Sequence, residues 1–201
     1  MELGQPLHAF DYDRLTKRAN GGKPKIIIRR AKEGESLLTL DNVERKLDSE
    51  MLMIADPVGH LAIAGVIGGR DSEVTEKTTN ILLESANFEF LNNRRTAQIL
   101  KLPTEASERF GKQVDPEGTV RSAFRAAKLI TEHGSGKLEE IAGDLYPNPK
   151  KAITINIKHE YVERLLGLNI PIDQIKKILS SLDFKVSGNR ILKIIVPSHR
   201  M

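Results

Sequence analysis

Four short stretches of this 201-residue sequence carry residue types that could do chemistry. In Gly4-Gln5-Pro6-Leu7-His8-Ala9-Phe10-Asp11 a histidine and an aspartate three apart follow a Gly-x-Pro loop. On a turn or helix start they would share one side, and the carboxylate could fix the imidazole tautomer; a satisfied surface histidine has the same spacing. Ala64-Gly65-Val66-Ile67-Gly68-Gly69 matches neither the P-loop nor the dinucleotide fingerprint. Its adjacent glycines imply a tight turn or a very close approach to the backbone. In Ile81-Leu82-Leu83-Glu84-Ser85-Ala86 an acid interrupts an aliphatic run. Glu84 is then either a solvated strand end or a carboxylate at the floor of a pocket, which would need hydrogen-bond donors that a ligand could bring. Pro103-Thr104-Glu105-Ala106-Ser107 reads as a helix start, whose free N–H groups either take an ordinary cap or face an anion. His60, His133, His159 and His199 have no constellation around them and are read as structural. No Gly-x-Ser-x-Gly elbow is present.

The elements that must position these residues fall into two groups. Residues 25–30, 36–40, 43–47, 52–56, 61–67 and 80–86 are short β-branched or leucine-rich runs between turn residues, which predicts strands. Asp41-Asn42 fits a two-residue hairpin turn. From Asn87, a plausible N-cap, the pattern turns helical to about Lys101. A second helix is capped by Thr104, and a third has Pro116 at its first position and stops at Gly134. Val120, Ala123, Phe124, Ala127 and Ile130 form an apolar stripe on that third helix. Residues 137–145 are expected to return as strand. Strands followed by helices argue for an α+β fold, with the helices packed on one side of a strand-rich domain.

Tyr146-Pro147-Asn148-Pro149-Lys150-Lys151 reads as a linker, because its prolines favour extended backbone. Beyond it, a strand at 153–157, a helix at 160–166 closed by Gly167, a helix carrying Ile172, Ile175, Ile178, Leu179 and Leu182, and a hairpin across Gly188-Asn189 form a small unit with a marginal core of its own.

Composition narrows the classes. Hydrophobic residues at 39% against 29% charged fit a globular protein, and the absence of cysteine removes disulfide frameworks, thiolate nucleophiles and zinc ribbons. No apolar run nears the ~18 residues of a membrane span, and the first residues lack a signal-peptide pattern, so a cytoplasmic location without membrane contact is expected. The net charge of +4 is uneven: residues 147–201 carry +6 and residues 1–146 carry −2. That fits either a solvated lysine-rich surface or a polyanion partner.

Taken together, ELGQPLHAFD (2–11), AKEGE (31–35) followed by LTLD, LAIAGVIGG (61–69), ILLESANF (81–88), PTEASERF (103–110), VDP (114–116) and IVPSHR (195–200) resemble the beta-subunit family of bacterial phenylalanyl-tRNA synthetases. The resemblance spans essentially the whole chain. It implies that residues 1–147 are most of a tRNA-editing domain and residues 151–201 the start of a small winged-helix-like α+β module, both truncated. The implied activity is hydrolysis of tyrosine wrongly esterified to tRNA(Phe), within an ATP-dependent aminoacylation complex. It also implies a glutamate, matched by Glu84, that accepts the tyrosine hydroxyl, with His8, Thr104 and Ala106 as the other catalytic positions and Pro6 and Gly68 as substrate-binding ones. No metal or cofactor is implied within this stretch, while the intact parent enzyme uses ATP and Mg2+. The implied partners are tRNA(Phe), the alpha subunit and the rest of the beta subunit in a tetramer of two alpha and two beta chains. Glu105 stands where the family usually has aspartate, and Lys112-Gln113 replace a usual Arg-Gly step. An arginine of the family's pocket lies before residue 2, and acidic residues linked to magnesium lie after Arg200. A noncatalytic RNA-binding or scaffold module is the rival reading, resting on the basic tail.

Overall fold

A computed structural model describes residues 2–139 and 143–200. Internal contacts divide the chain into two compact units, Met1–Leu138 and Glu139–Met201, and each is described by itself. Both mix α and β structure, in line with the expected fold class.

The first unit opens with strand β1 (Leu7–Asp11) running directly into helix α1 (Tyr12–Arg18), so that His8 and Asp11 lie on a strand and not on the turn or helix start that the sequence suggested. Asp11 explains the switch: its carboxylate accepts from Arg14 N at 2.9 Å and caps the helix. Strands β2 (Ile27–Arg30), β5 (Leu52–Ala55), β6 (His60–Ile63) and β7 (Ile67–Gly68) form an antiparallel sheet in that order. β3 (Ser36–Leu38) and β4 (Glu44–Lys46) form a separate hairpin. The expected two-residue turn there is a three-residue one. Thr39 N bonds Val43 O and Asn42 N bonds Thr39 O, so only Asn42 (φ 62) needs the left-handed conformation. The run 61–67 is two strands, broken at Gly65 (φ +67).

Strand β8 (Ile81–Ser85) pairs with β1 as an antiparallel ribbon. Period-two alternation on β5 and β6 sends Met53 and Ile63 into one apolar cluster and Ile54 and Ala62 into another. A sheet buried on both faces has no polar side to show, which is why these runs read as continuously aliphatic.

Helices α2 (Phe90–Ile99), α3 (Glu105–Phe110) and α4 (Gly118–Gly134) follow. The cap of α2 is Glu89 and not Asn87. The Glu89 carboxylate accepts from Leu91 N and Asn92 N, while the Asn87 amide donates to Val114 O. Pro116 sits in a turn ahead of α4, where Asp115 accepts from Glu117 N through its carboxylate and from Gly118 N through its carbonyl. The stripe on α4 has the expected spacing but a different environment: Val120, Phe124 and Ile130 are exposed, and Ser122 is the buried residue. The strand expected over 137–145 is not seen at 137–139 or 143–145, and 140–142 lie outside the described residues.

In the second unit β9 (Thr154–Lys158), α5 (His159–Leu166), α6 (Ile172–Ser181), β10 (Lys185–Ser187) and β11 (Ile191–Ile195) follow the expected order. The strands form an antiparallel sheet β10-β11-β9. Gly167 (φ +67) closes α5 with its N–H on Glu163 O. Ile175, Leu192 and Ile194 are the buried centre, with Ile157, Val162, Leu179 and Phe184 packed around them.

Candidate functional site

The β1–β8 ribbon determines the site. Its register sets His8 opposite Glu84 and Phe10 opposite Leu82, so the imidazole and the carboxylate leave the ribbon on the same face. Asp11, three residues from His8, leaves on the other face. Its carboxylate is committed to the α1 cap and to the Thr78 hydroxyl at 2.6 Å, so it does not orient the imidazole.

Beneath the ribbon lies a cavity of about 70 Å³. Pro6, Leu7, His8 and Glu84 form one wall, and Ile54, Ala62, Ile67 and Gly68 of the four-stranded sheet form another. Gly65 and Val66 of the turn, with Ala106 and Phe110 of α3, complete it. This volume admits a small group and not a nucleotide, since whole-ligand pockets run to ~300 Å³ and above.

Glu84 is the polar anomaly of this apolar enclosure. Its Oε2 is buried and has no hydrogen-bond partner. Burial raises its pKa to about 7. Burial likewise lowers the pKa of His8, which is held edge-on to Phe10 at 4.5 Å between ring centres.

Gly68 is needed for contact with that ring, because a Cβ there would lie 2.6 Å from His8 Cε1. Gly69 has a structural reason instead: its N–H bonds Leu61 O at 2.7 Å, and a Cβ would sit 2.6 Å from that oxygen.

Thr104 does not line the cavity. Its hydroxyl accepts from Ser107 N and donates to Val66 O at 2.8 Å, completing a capping box and tying α3 to the turn. The effect is positional: Ala106, two residues on, is held at the cavity wall.

Sequence reasoning missed Asn93. It is 2% exposed, its amide donates to Ala64 O at 3.0 Å, and together with Phe88 and Phe110 it leaves no room for a side chain at Gly65. Little in the sequence signals it, since Asn92 beside it is an asparagine too and the helix buries Thr96 as well. The sequence pattern also passed over Gln5, whose amide donates to Ala86 O at 2.7 Å and braces the loop before β1 to the end of β8.

A larger open groove of about 550 Å³ runs between α2 and α3 past Arg94, Lys101 and Lys112. The Ser107 hydroxyl on its wall is already committed to Thr104. Among the described residues no group of three or more His, Asp or Glu side chains could hold a metal ion. Among them, too, no helix is long and apolar enough to cross a membrane.

The first unit thus offers an acid with one buried, unpartnered oxygen at the wall of a small apolar cavity, across the ribbon from an imidazole and near a glycine-lined turn. The chain belongs to the B3/4 domain family, whose model matches residues 1–135. A second model, the tRNA synthetase B5 domain, matches residues 155–201. The phenylalanine-tRNA ligase beta subunit of Moorella thermoacetica is 44% identical over 200 residues, covering 100% of this chain and 24% of that protein. The corresponding subunit of Carboxydothermus hydrogenoformans is 41% identical over 201 residues, again 100% of this chain and 24% of that protein. That of Symbiobacterium thermophilum is 44% identical over 186 residues, 92% of this chain and 20% of that protein. The chain thus spans about a quarter of the length of the first two of these relatives.

Proposed function

We propose that the chain is part of a phenylalanine-tRNA ligase beta subunit and that its first unit edits tRNA(Phe) mischarged with tyrosine. Residues 1–147 are most of the editing domain, and residues 151–201 belong to a small winged-helix-like module. The observation that carries the reading is the buried, unpartnered Glu84 oxygen in an apolar cavity sized for a small group.

The physical need is plain. A pocket selected for phenylalanine rejects an added hydroxyl only weakly, whereas a second pocket that hydrogen-bonds that hydroxyl discriminates by ~10⁴ or more. The tyrosine phenol donates to Glu84, satisfying the orphaned oxygen and favouring its ionised form; phenylalanine leaves it unpaired. The aliphatic wall and Gly68 admit the ring, with Pro6 and His8 beside it. A water held by backbone groups and substrate hydroxyls attacks the ester carbonyl, the ribose oxygen leaves with a proton, and free tyrosine is released. His8, kept neutral near pH 7 by burial, contacts the substrate without being the required base. Thr104 holds Ala106 at the wall near the reacting ester.

The parent enzyme works in the cytoplasm as two alpha and two beta subunits. It uses ATP and Mg2+ for charging.

The test is Glu84→Ala in the intact enzyme. Clearance of tyrosyl-tRNA(Phe) falls roughly 10²–10³-fold in kcat/KM while phenylalanine charging is unchanged, as expected when a buried recognition hydrogen bond is lost. Clearance at the unaltered rate removes Glu84 from the recognition role.

A further inference from the structure

The solvent face of the second unit's sheet carries a row of cations that the pocket does not explain. Leu192 and Ile194 of β11 point into the core, so Ile191, Lys193 and Ile195 point outward. The register places Ser187 and Asn156 on either side of Lys193. Lys185 on β10 and Lys158 on β9 are its diagonal neighbours. Diagonal neighbours across antiparallel strands stand ~7–8 Å apart. Lys185, Lys193 and Lys158 therefore form one straight line across three strands.

All three are exposed, and none is in an ion pair among the described residues. The acids nearest the ends of the row, Glu160 and Asp183, lie beside Arg190 at 3.6 Å and His199 at 3.9 Å. Lysines on edge strands commonly guard against edge-to-edge pairing. That accounts for Lys185 and Lys158, but not for Lys193, whose strand is paired on both sides.

By contrast, Lys176 of α6 is less available: it donates to Asn189 Oδ1 at 2.9 Å and so fastens the helix to the β10–β11 turn.

We propose that this lysine row is a docking surface for the sugar-phosphate backbone of an RNA strand, tracked without regard to base sequence. A line of evenly spaced cations complements a linear polyanion, and phosphate contacts of this kind position a nucleic acid without reading it. No aromatic side chain stands on this face to stack a base, which is why the contact carries no sequence preference. An anionic membrane surface is the weaker fit, because only Ile191 and Ile195 are apolar here and no amphipathic anchor accompanies them. The choice of RNA rests on the reading of the chain as part of a tRNA ligase subunit.

The experiment measures binding of a labelled tRNA transcript to the 201-residue chain across a salt series. The triple variant Lys158→Gln, Lys185→Gln, Lys193→Gln is compared with a charge-matched control, Lys23→Gln, Lys151→Gln, Lys177→Gln. Each lost phosphate contact reduces the slope of log K against log salt by ~0.7–0.9, so the row variant loses about 2 and the control less than about 1. Circular dichroism confirms that both fold. Equal losses in the two variants overturn the proposal, as does a wild-type chain that binds no tRNA. Loss of binding to phosphatidylserine vesicles with tRNA binding intact also overturns it, in favour of a membrane. Tyrosyl-tRNA clearance in the Glu84 experiment is scored separately, so failure of the row leaves the editing reading standing, and the reverse.

Discussion

Two glutamates of the first unit each lie close to a partly buried histidine, and their surroundings drive them in opposite directions. Glu35, just ahead of β3, takes a two-pronged hydrogen bond from Arg29, 2.9 Å on each oxygen, and a third from Lys32 N. His60 Nε2 lies 3.0 Å away. The Arg29 hydrogen bonds, helped by the Lys32 amide, lower the Glu35 pKa to about 2. Glu84 has the His8 side of the ribbon for company but no donor on Oε2, and burial raises its pKa to about 7. The same residue types, an acid and a histidine on neighbouring segments, thus leave the carboxylate of Glu35 with its donors in place, although His60 Nδ1 is buried without a partner, and the carboxylate of Glu84 without a donor on Oε2. A Glu/His pair is therefore not the mark of a site; an acid left without its hydrogen bonds is.

The largest effect that can break this comparison is on stability. The folded chain holds a proton on Glu84 between its unfolded pKa, near 4.5, and about 7, so its contribution to stability falls as pH rises through that window. Above pH 7 the cost is about 3 kcal/mol. Glu84→Met, apolar and of similar length, is expected to raise the unfolding free energy at pH 8 by about 2–3 kcal/mol and to flatten the profile between pH 4.5 and 7. Denaturant titrations of the 201-residue chain at several pH values check this, and a destabilised variant would make the Glu84 carboxylate a structural group. Glu35 has the opposite sign. Its depressed pKa supplies stability that is complete above about 4.5 and lost as pH falls toward 2. Glu35→Met should lower stability at pH 7 by on the order of 1 kcal/mol, the solvent-screened worth of a partly exposed cluster, and remove that acid limb.

Much of the frame was legible because it is written in local pattern. The hairpin across Gly188-Asn189, the stop at Gly167 and the Thr104 cap each depend on a residue with one dominant backbone role. The acid in 81–86 was legible as an interruption, although its partners were not: strand β1 pairs with a segment far along the chain, and no local period announces that His8 faces Glu84. Asp11 was misread for a related reason. Three residues apart means one side on a helix and opposite sides on a strand, and the chain changes from strand to helix at that residue. Asn87 lost its capping role to Glu89, which lies closer to the helix and offers two oxygens. The α4 stripe shows the limit of periodicity. Spacing identifies an amphipathic helix but not what its apolar side meets, and here Phe124 is 59% exposed.

The smallest expected effect sharpens the comparison most, because it asks whether each histidine senses its glutamate. Burial is the leading cause lowering both imidazoles, but the Glu35 charge pulls His60 back upward, whereas burial alone acts on His8. Proton NMR titration of the two rings separates these cases. Glu35→Gln should move the His60 pKa further down, since its raising partner is gone while Arg29 still repels the charged ring. Glu84→Gln should leave the His8 titration where it was. A downward move of His8 of similar size would mean that Glu84 is ionised and held by the imidazole, making the cavity a second closed ion pair. The orphaned oxygen that distinguishes it from the Glu35 cluster would then have its partner without any ligand.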